Sequence, residues 1–262
     1  MIIILVFLIC FLASVAGAIC GIGGGVIIKP VLDAFGIMDV ATISFLSGCT
    51  VLSMTSYSVI RSKLSGGSRI DLKVGIPLAA GAALGGVVGK NLFQIIRQAS
   101  SNTDFVGAVQ AGCLLLVTLG TLLYTVNKSR IHTYKVTNAA VCGLIGLVLG
   151  MMSSFLGIGG GPINLVVLFF FFSMDTKTAA ENSLYIILFS QIASVLVSII
   201  THTVPSFSFG MLVLMAAGGI CGGMAGRTCN RRLQASDVDK LFIGLMAVII
   251  LISFYNIWKF ML

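Results

Sequence analysis

Two copies of one glycine break, each inside a long apolar run, constrain this chain more than any other feature. Eight apolar runs can be marked: Ile2–Phe35, Val40–Ile60, Leu72–Ile96, Phe105–Val126, Val136–Phe172, Thr178–Ile200, Phe207–Arg227 and Val238–Phe260. About 20 apolar residues in a helix span a bilayer core. Lipid offers no partner to a free N–H or C=O, so such runs fold as helices. A soluble domain needs roughly 25% charged residues to cover its surface; this chain has 9% charged against 58% hydrophobic. The expectation is an all-α polytopic membrane protein with no soluble domain, because no stretch between the runs is long enough to fold alone. The opening MIIILVFLICFLASVAG has no basic stretch before it and no clear cleavage site. It reads as the first membrane segment rather than a signal peptide.

The runs fall into two related halves, 1–127 and 128–262. Gly21-Ile22-Gly23-Gly24-Gly25 matches Gly157-Ile158-Gly159-Gly160-Gly161 at an offset of 136, as do Met38-Asp39 with Met174-Asp175, Thr42 with Thr178, and Ser47 with Ser183. Gly81, Gly85 and Gly89 match Gly218, Gly222 and Gly226 at an offset of 137, and Lys90 then matches Arg227. Glycines every four residues line one face of a helix and let a neighbour approach closely. These rows are read as packing surfaces.

Charge arbitrates between two topologies. If all eight runs cross once, the 16 Lys and Arg divide 8 against 8 between the two sides. If the two GIGGG runs are instead hairpins that enter and leave on one side, each half keeps three further spans and the halves are inverted. The split then becomes 12 against 4, with Lys29, Lys90, Arg97 and Lys259 as the minority. The positive-inside rule favours the hairpins and places both termini outside. The arms after each break, Val26–Phe35 and Pro162–Phe172, are only half-length, so such hairpins are lopsided. The formal charge of +8 then belongs to loops that fix topology, and nucleic acid is not an expected partner. Seven cysteines, an odd number without a CxxC, read as small buried residues at helix contacts; the alternative is a thiol relay for a sulfur substrate.

The breaks carry the candidate chemistry. Each glycine costs about 1 kcal/mol relative to alanine inside a helix, and a break at membrane depth survives only where it lines a cavity or is buried in protein. Pro162 suits the first turn of a fresh helix. A helix N-terminus offers unpaired N–H donors and a partial positive charge, which bind an anion without a charged side chain. Paired broken segments are the sequence pointer to a transporter's substrate site. Tight helix crossing is the bland alternative. The candidate anion site therefore comprises Gly21, Gly23, Gly24, Gly25, Gly157, Gly159, Gly160, Gly161 and Pro162. Polar residues beside the breaks join it: Lys29, which either meets the anion or snorkels to the interface, and Ser47, Asn164, Asn182, Ser183 and Gln191. Lone hydroxyls in membrane helices usually bond to their own backbone. Glu181 is the candidate proton-coupling carboxylate, although the dipole of its own helix also favours an acid there. Asp39 and Asp175 read as helix N-caps. No nucleophile–base pair and no metal-ligand cluster stands out, so neither an enzyme nor a cofactor is expected.

Gly21–Gly25 with Pro30, Gly157–Pro162, the stretch Ala179-Ala180-Glu181-Asn182-Ser183-Leu184 and the two-half layout together resemble the sulfite exporter TauE/SafE family of membrane permeases. The resemblance covers essentially the whole chain. It implies transport of a small sulfur-containing or organic anion, such as sulfite or a sulfonate, in a bacterial or archaeal cell membrane, with a coupling proton and a homo-oligomer left open. Alternating access is the expected mechanism; a passive anion channel and a non-transporting scaffold are the rivals. The first half departs from the pattern: Ser44-Phe45-Leu46-Ser47 stands where the second half has Ala180-Glu181-Asn182-Ser183.

Overall fold

Where the sequence runs apolar for the depth of a bilayer, the chain is helical. A computed structural model describes residues 2–65, 69–100 and 103–261. Their α-helices are α1 (Ile2–Cys20), α2 (Gly25–Phe35), α3 (Val40–Leu64), α4 (Leu72–Ala99), α5 (Thr103–Asn127), α6 (Ala139–Leu156), α7 (Pro162–Phe172), α8 (Thr176–Ile200), α9 (Phe209–Arg232) and α10 (Ala235–Met261). All but α2 and α7 are long and apolar enough to cross a membrane. Helix starts follow local chemistry. Asp39 accepts from the Thr42 N–H at 3.1 Å, Asn138 from Ala140 at 2.9 Å, and Asp175 from Lys177 and Thr178 at 3.0 and 3.1 Å. Burial alone would raise the Asp175 carboxyl; hydrogen bonds from the Thr178 hydroxyl and N–H and from Lys177 outweigh it and hold the group below its ordinary range.

The order of contacts along each helix pair gives the directions. Gly81, Gly85 and Gly89 of α4 meet Gly143, Leu147 and Met151 of α6 in turn, and Gly218, Gly222 and Gly226 of α9 meet Phe7, Phe11 and Val15 of α1. Both pairs are therefore parallel. In α9, Gly219 meets Thr50 and Gly223 meets Met54, so α3 runs with α9. In α4, Gly75 meets Tyr185 and Gly86 meets Ser190, so α8 runs with α4. Between α3 and α8, however, Gly48 faces Gln191 while Ser62 donates to Glu181 at 2.9 Å. That pair is antiparallel. Helices α1, α3 and α9 thus run one way, and α4, α6 and α8 the other. The series long, short, long, long, long occurs twice, in opposite directions, and the series interlock through the glycine seams α4–α6 and α1–α9.

Each break folds back as a hairpin. Tyr134 and Val136, just before α6, donate to the carbonyls of Phe170 and Phe171 at the end of α7 at 2.7 and 2.9 Å, and Ser173 donates to Thr133 at 2.7 Å. The chain therefore enters α6 and leaves α7 on one side. In the first series Gly24 lies against Ser14, and the backbone of Gly23 and Gly24 lies against Gly17; α2 returns beside α1 so that α3 can start in the same direction. The arms are unequal, 19 and 11 residues for α1 and α2. The return leg is completed by the break itself. This is the arrangement whose basic residues are distributed unevenly between the two ends.

Candidate functional site: two polar cavities about the paired glycine breaks

The two breaks face each other at the centre of the molecule. Gly21 and Gly23 have φ of 76°, Gly157 and Gly159 of 65° and 66°, and Gly160 of 138°, a left-handed region that disfavours any side chain. Gly25 abuts the Ile158 carbonyl, Gly23 lies over the Gly159 carbonyl, and Gly160 lies over that of Ile22. A Cβ at Gly25 would overlap the partner break. Among the described residues, the N–H groups of Gly23, Gly24, Gly25, Gly159, Gly160 and Gly161 donate to no backbone carbonyl. Pro162 occupies the first turn of α7. Unpaired donors thus collect where two helix N-termini begin.

A polar cavity opens on each side of this contact. One is lined by Ser44, Phe45, Gly48, Lys90, Phe93, Gln110, Ser154, Gly157, Gln191, Ser194, Val195 and Ser198. It uses the start of α3 and the end of α8. The other is lined by Ala18, Ser58, Ala180, Glu181, Leu184, Arg227, Asn230 and Arg231, and uses the end of α3 and the start of α8. Because α3 and α8 are antiparallel, the cavities open toward opposite ends of the molecule. They also correspond by repeat register: Ser44 with Ala180, Phe45 with Glu181, Gly48 with Leu184, Ser58 with Ser194, Ala18 with Ser154, Lys90 with Arg227 and Phe93 with Asn230. Between them lie Val51 and Ile187, themselves a corresponding pair, buried with Ala18, Met54 and Leu184 in one apolar cluster. Val51 packs on Gly23, Gly25 and Gly159, and Ile187 on Gly160.

The polar residues singled out by sequence separate into three groups. Gln191 lines the Lys90 cavity. Ser47, Ser183 and Asn164 are buried, with Ser47 Oγ, Ser183 Oγ and Asn164 Oδ1 lacking partners, unlike Thr50, Ser53 and Thr55, which bond back to Leu46, Cys49 and Val51. Lys29 does not snorkel; it lines a separate small cavity with Asp33, Gln110, Ile158 and Asn256 rather than either of these two. It is 3% exposed and pairs with Asp33 at 2.6 Å, because an amine held inside an apolar packing layer needs a counter-charge. Asn182 is committed to structure: its amide donates to the carbonyls of Arg69 and Thr178 at 3.1 and 2.8 Å, and its oxygen accepts from Asp71 at 3.3 Å. Glu181 accepts from Ser62 at 2.9 Å and from the Arg69 N–H at 3.0 Å at the mouth of the second cavity. Sequence reasoning assigned no role to Gln110, Ser154, Ser194 and Ser198, which are scattered single polar residues until α3, α5, α6 and α8 bring them together. Lys90 and Arg227 were visible as a register match, a signal that could have flagged them.

An all-helical chain with two polar cavities divided by facing broken helices is, by class, a membrane transporter. The chain belongs to the sulfite exporter TauE/SafE family, whose model matches residues 6–252. It is also similar to the Probable membrane transporter protein YunE of Bacillus subtilis (strain 168), 23% identical over 269 residues that cover 92% of each chain. No solved structure matches it significantly. The protein is an integral cell-membrane protein of a transporter family.

Proposed function

We propose that this protein is a secondary transporter that moves a small sulfur-containing or organic anion, sulfite or a sulfonate, by alternating access. The two halves, 1–127 and 128–262, act as inverted repeats, and the anion is held where their breaks meet. One observation carries this reading: unpaired N–H donors of two buried helix starts converge between two cavities that open to opposite ends. Such donors attract an anion without a fixed counter-charge. Ser47, Ser183 and Asn164 supply further unsatisfied polar groups at buried positions nearby in sequence. Glu181 is the one carboxylate lining either cavity, which makes it our candidate for a coupling proton. The test is uptake into proteoliposomes of radiolabelled sulfite, methanesulfonate, sulfate and acetate, with and without an imposed proton gradient. Saturable, uphill flux of one oxyanion is expected, with Glu181→Gln abolishing the response to the gradient while exchange persists. Flux that never exceeds equilibrium would convert the reading to a passive channel, and the absence of flux for every anion would overturn it.

A further inference from the structure

Among the described residues, Lys90 is a buried lysine with no ion-pair partner. It sits well inside α4, 7% exposed. Lys29 has Asp33 at 2.6 Å and Lys128 has Asp239 at 2.5 Å, but among the described residues Lys90 forms no ion pair. Its recorded contact is a cation–π approach, 5.5 Å from the centre of the Phe93 ring. Lysine is almost never buried unpaired, because taking an unmatched ammonium out of water is expensive. The cavity that receives it holds hydroxyls and amides and no carboxylate. The Ser44 hydroxyl, also buried, has no partner. In this state the cavity has room for only about 10 Å³; widened, a cationic pocket with neutral donors in its wall would receive an anion.

The corresponding position in the other series repeats this with a different cation. Arg227 donates through Nη1 to the Ser58 carbonyl at 3.0 Å, and its Nε has no partner. It lines the opposite cavity together with Asn230 and Arg231. A lysine offers a point charge, whereas a guanidinium offers a planar fork suited to two oxygens of one oxyanion. Glu181 stands in this cavity where Phe45 stands in the other, so here a carboxylate competes with an incoming anion for the cations Arg227 and Arg231, whereas nothing in the other cavity competes for Lys90.

We propose that Lys90 and Arg227 anchor two anion stations, one in each cavity, that hand a small oxyanion to and from the breaks. The inference rests on the anion-transport reading above and adds to it the residues that capture the cargo on each side. The Lys90 station, without a competing carboxylate, binds the tighter of the two. The experiment is titration of the purified protein in nanodiscs with sulfite and methanesulfonate at fixed ionic strength, read by thermal shift, with uptake measured in parallel. Lys90→Gln should raise the apparent Kd about 10-fold or more and Arg227→Gln about 3-fold or more. Lys90→Arg should stay near wild type, and Lys73→Gln, an exposed lysine on the same helix, should change nothing. Ser44→Ala, which removes only the unpartnered hydroxyl, should weaken binding about 3-fold, so the test survives if Lys90→Gln does not fold. If wild type binds and transports an oxyanion while S44A, K90Q and R227Q keep its Kd and half-saturation, the stations are refuted and the transport reading stands. If wild type neither binds nor moves any oxyanion, both fail.

Discussion

The α4–α6 seam gives the sharpest test of the architecture. An added Cβ on Gly85 would stand 2.8 Å from the Leu147 carbonyl carbon and 2.8 Å from the Met151 nitrogen, with the Leu147 carbonyl oxygen closer still. Real Cβ atoms essentially never come within 3.0 Å of such neighbours. Every obstructing atom is backbone, so no rotamer change relieves the clash; α4 and α6 must separate along a seam that Gly81 and Gly89 also use. Overpacking of this kind costs about 1–3 kcal/mol, and the rigidity of the obstruction argues for the upper end. The internal standard is Gly120 in α5, where a new Cβ would meet nothing within 4 Å. There the substitution should show only the helix-propensity gain of alanine, up to about 1 kcal/mol. The difference between Gly85→Ala and Gly120→Ala therefore isolates the packing cost from propensity. The assay is the loss of monodisperse protein on heating in one detergent, supported by denaturant titration. G85A should melt clearly below wild type and G120A at or above it. If G85A proved as stable as G120A, the direct backbone contact between α4 and α6, and with it the interlocking of the two series, would be wrong.

Two further outcomes follow from the centre of the molecule. Lys29→Met alone should destabilise by about 3–5 kcal/mol, because it strands a buried carboxylate, whereas Lys29→Met with Asp33→Met should recover most of that loss; anion flux should persist in the double variant, and its disappearance would return Lys29 to the binding site. Val51→Ala with Ile187→Ala removes the apolar plug between the cavities and should turn gradient-dependent transport into a leak, seen as downhill anion efflux from loaded liposomes that no longer responds to an opposing gradient. Unchanged coupling would show that the plug lies elsewhere.

Much of the fold was legible because lipid simplifies the problem. With no water to satisfy the backbone, a long apolar run folds as a helix, and α3, α4 and α8 begin within a few residues of where hydropathy puts them, α3 and α8 directly after the caps Asp39 and Asp175. The charge count resolved the hairpins because the positive-inside rule reads one number over many loops. The interlocking of the series was not legible: glycine rows say that something approaches closely, and only in the folded chain does α4 take α6 and α9 take α1. The site divided in the same way. The breaks declared themselves through a composition no helix tolerates cheaply. Lys29 drew attention because it lies near a break in sequence, yet its i,i+4 partner Asp33 neutralises it; the pair was printed in the sequence and outweighed by proximity. Lys90, inside the run Leu72–Ile96, was counted among the charges that fix topology; α4 continues past it to Ala99 and buries it.

The geometry also suggests how one static contact would serve the alternating access proposed above. Each like-directed bundle, α1–α3–α9 or α4–α6–α8, draws members from both series and is zipped along a glycine seam that leaves little room for sliding. The bundles meet chiefly where α3 crosses α8 and where the breaks abut. At the crossing, Val51 and Ile187 fill the middle, the Lys90 cavity lies at one end and the Arg227 cavity at the other. On the proposed reading, tilting one antiparallel helix against the other about that apolar fulcrum widens one cavity as it narrows the other, so both cannot stand open together. On that reading the breaks sit on the hinge line. Their backbone contact is glycine on carbonyl, and parting Gly25 from Ile158 and Gly160 from Ile22 would expose the N–H donors that an anion would fill. The residues that permit the closest approach in this state are thus those that would become the binding surface when the bundles rock.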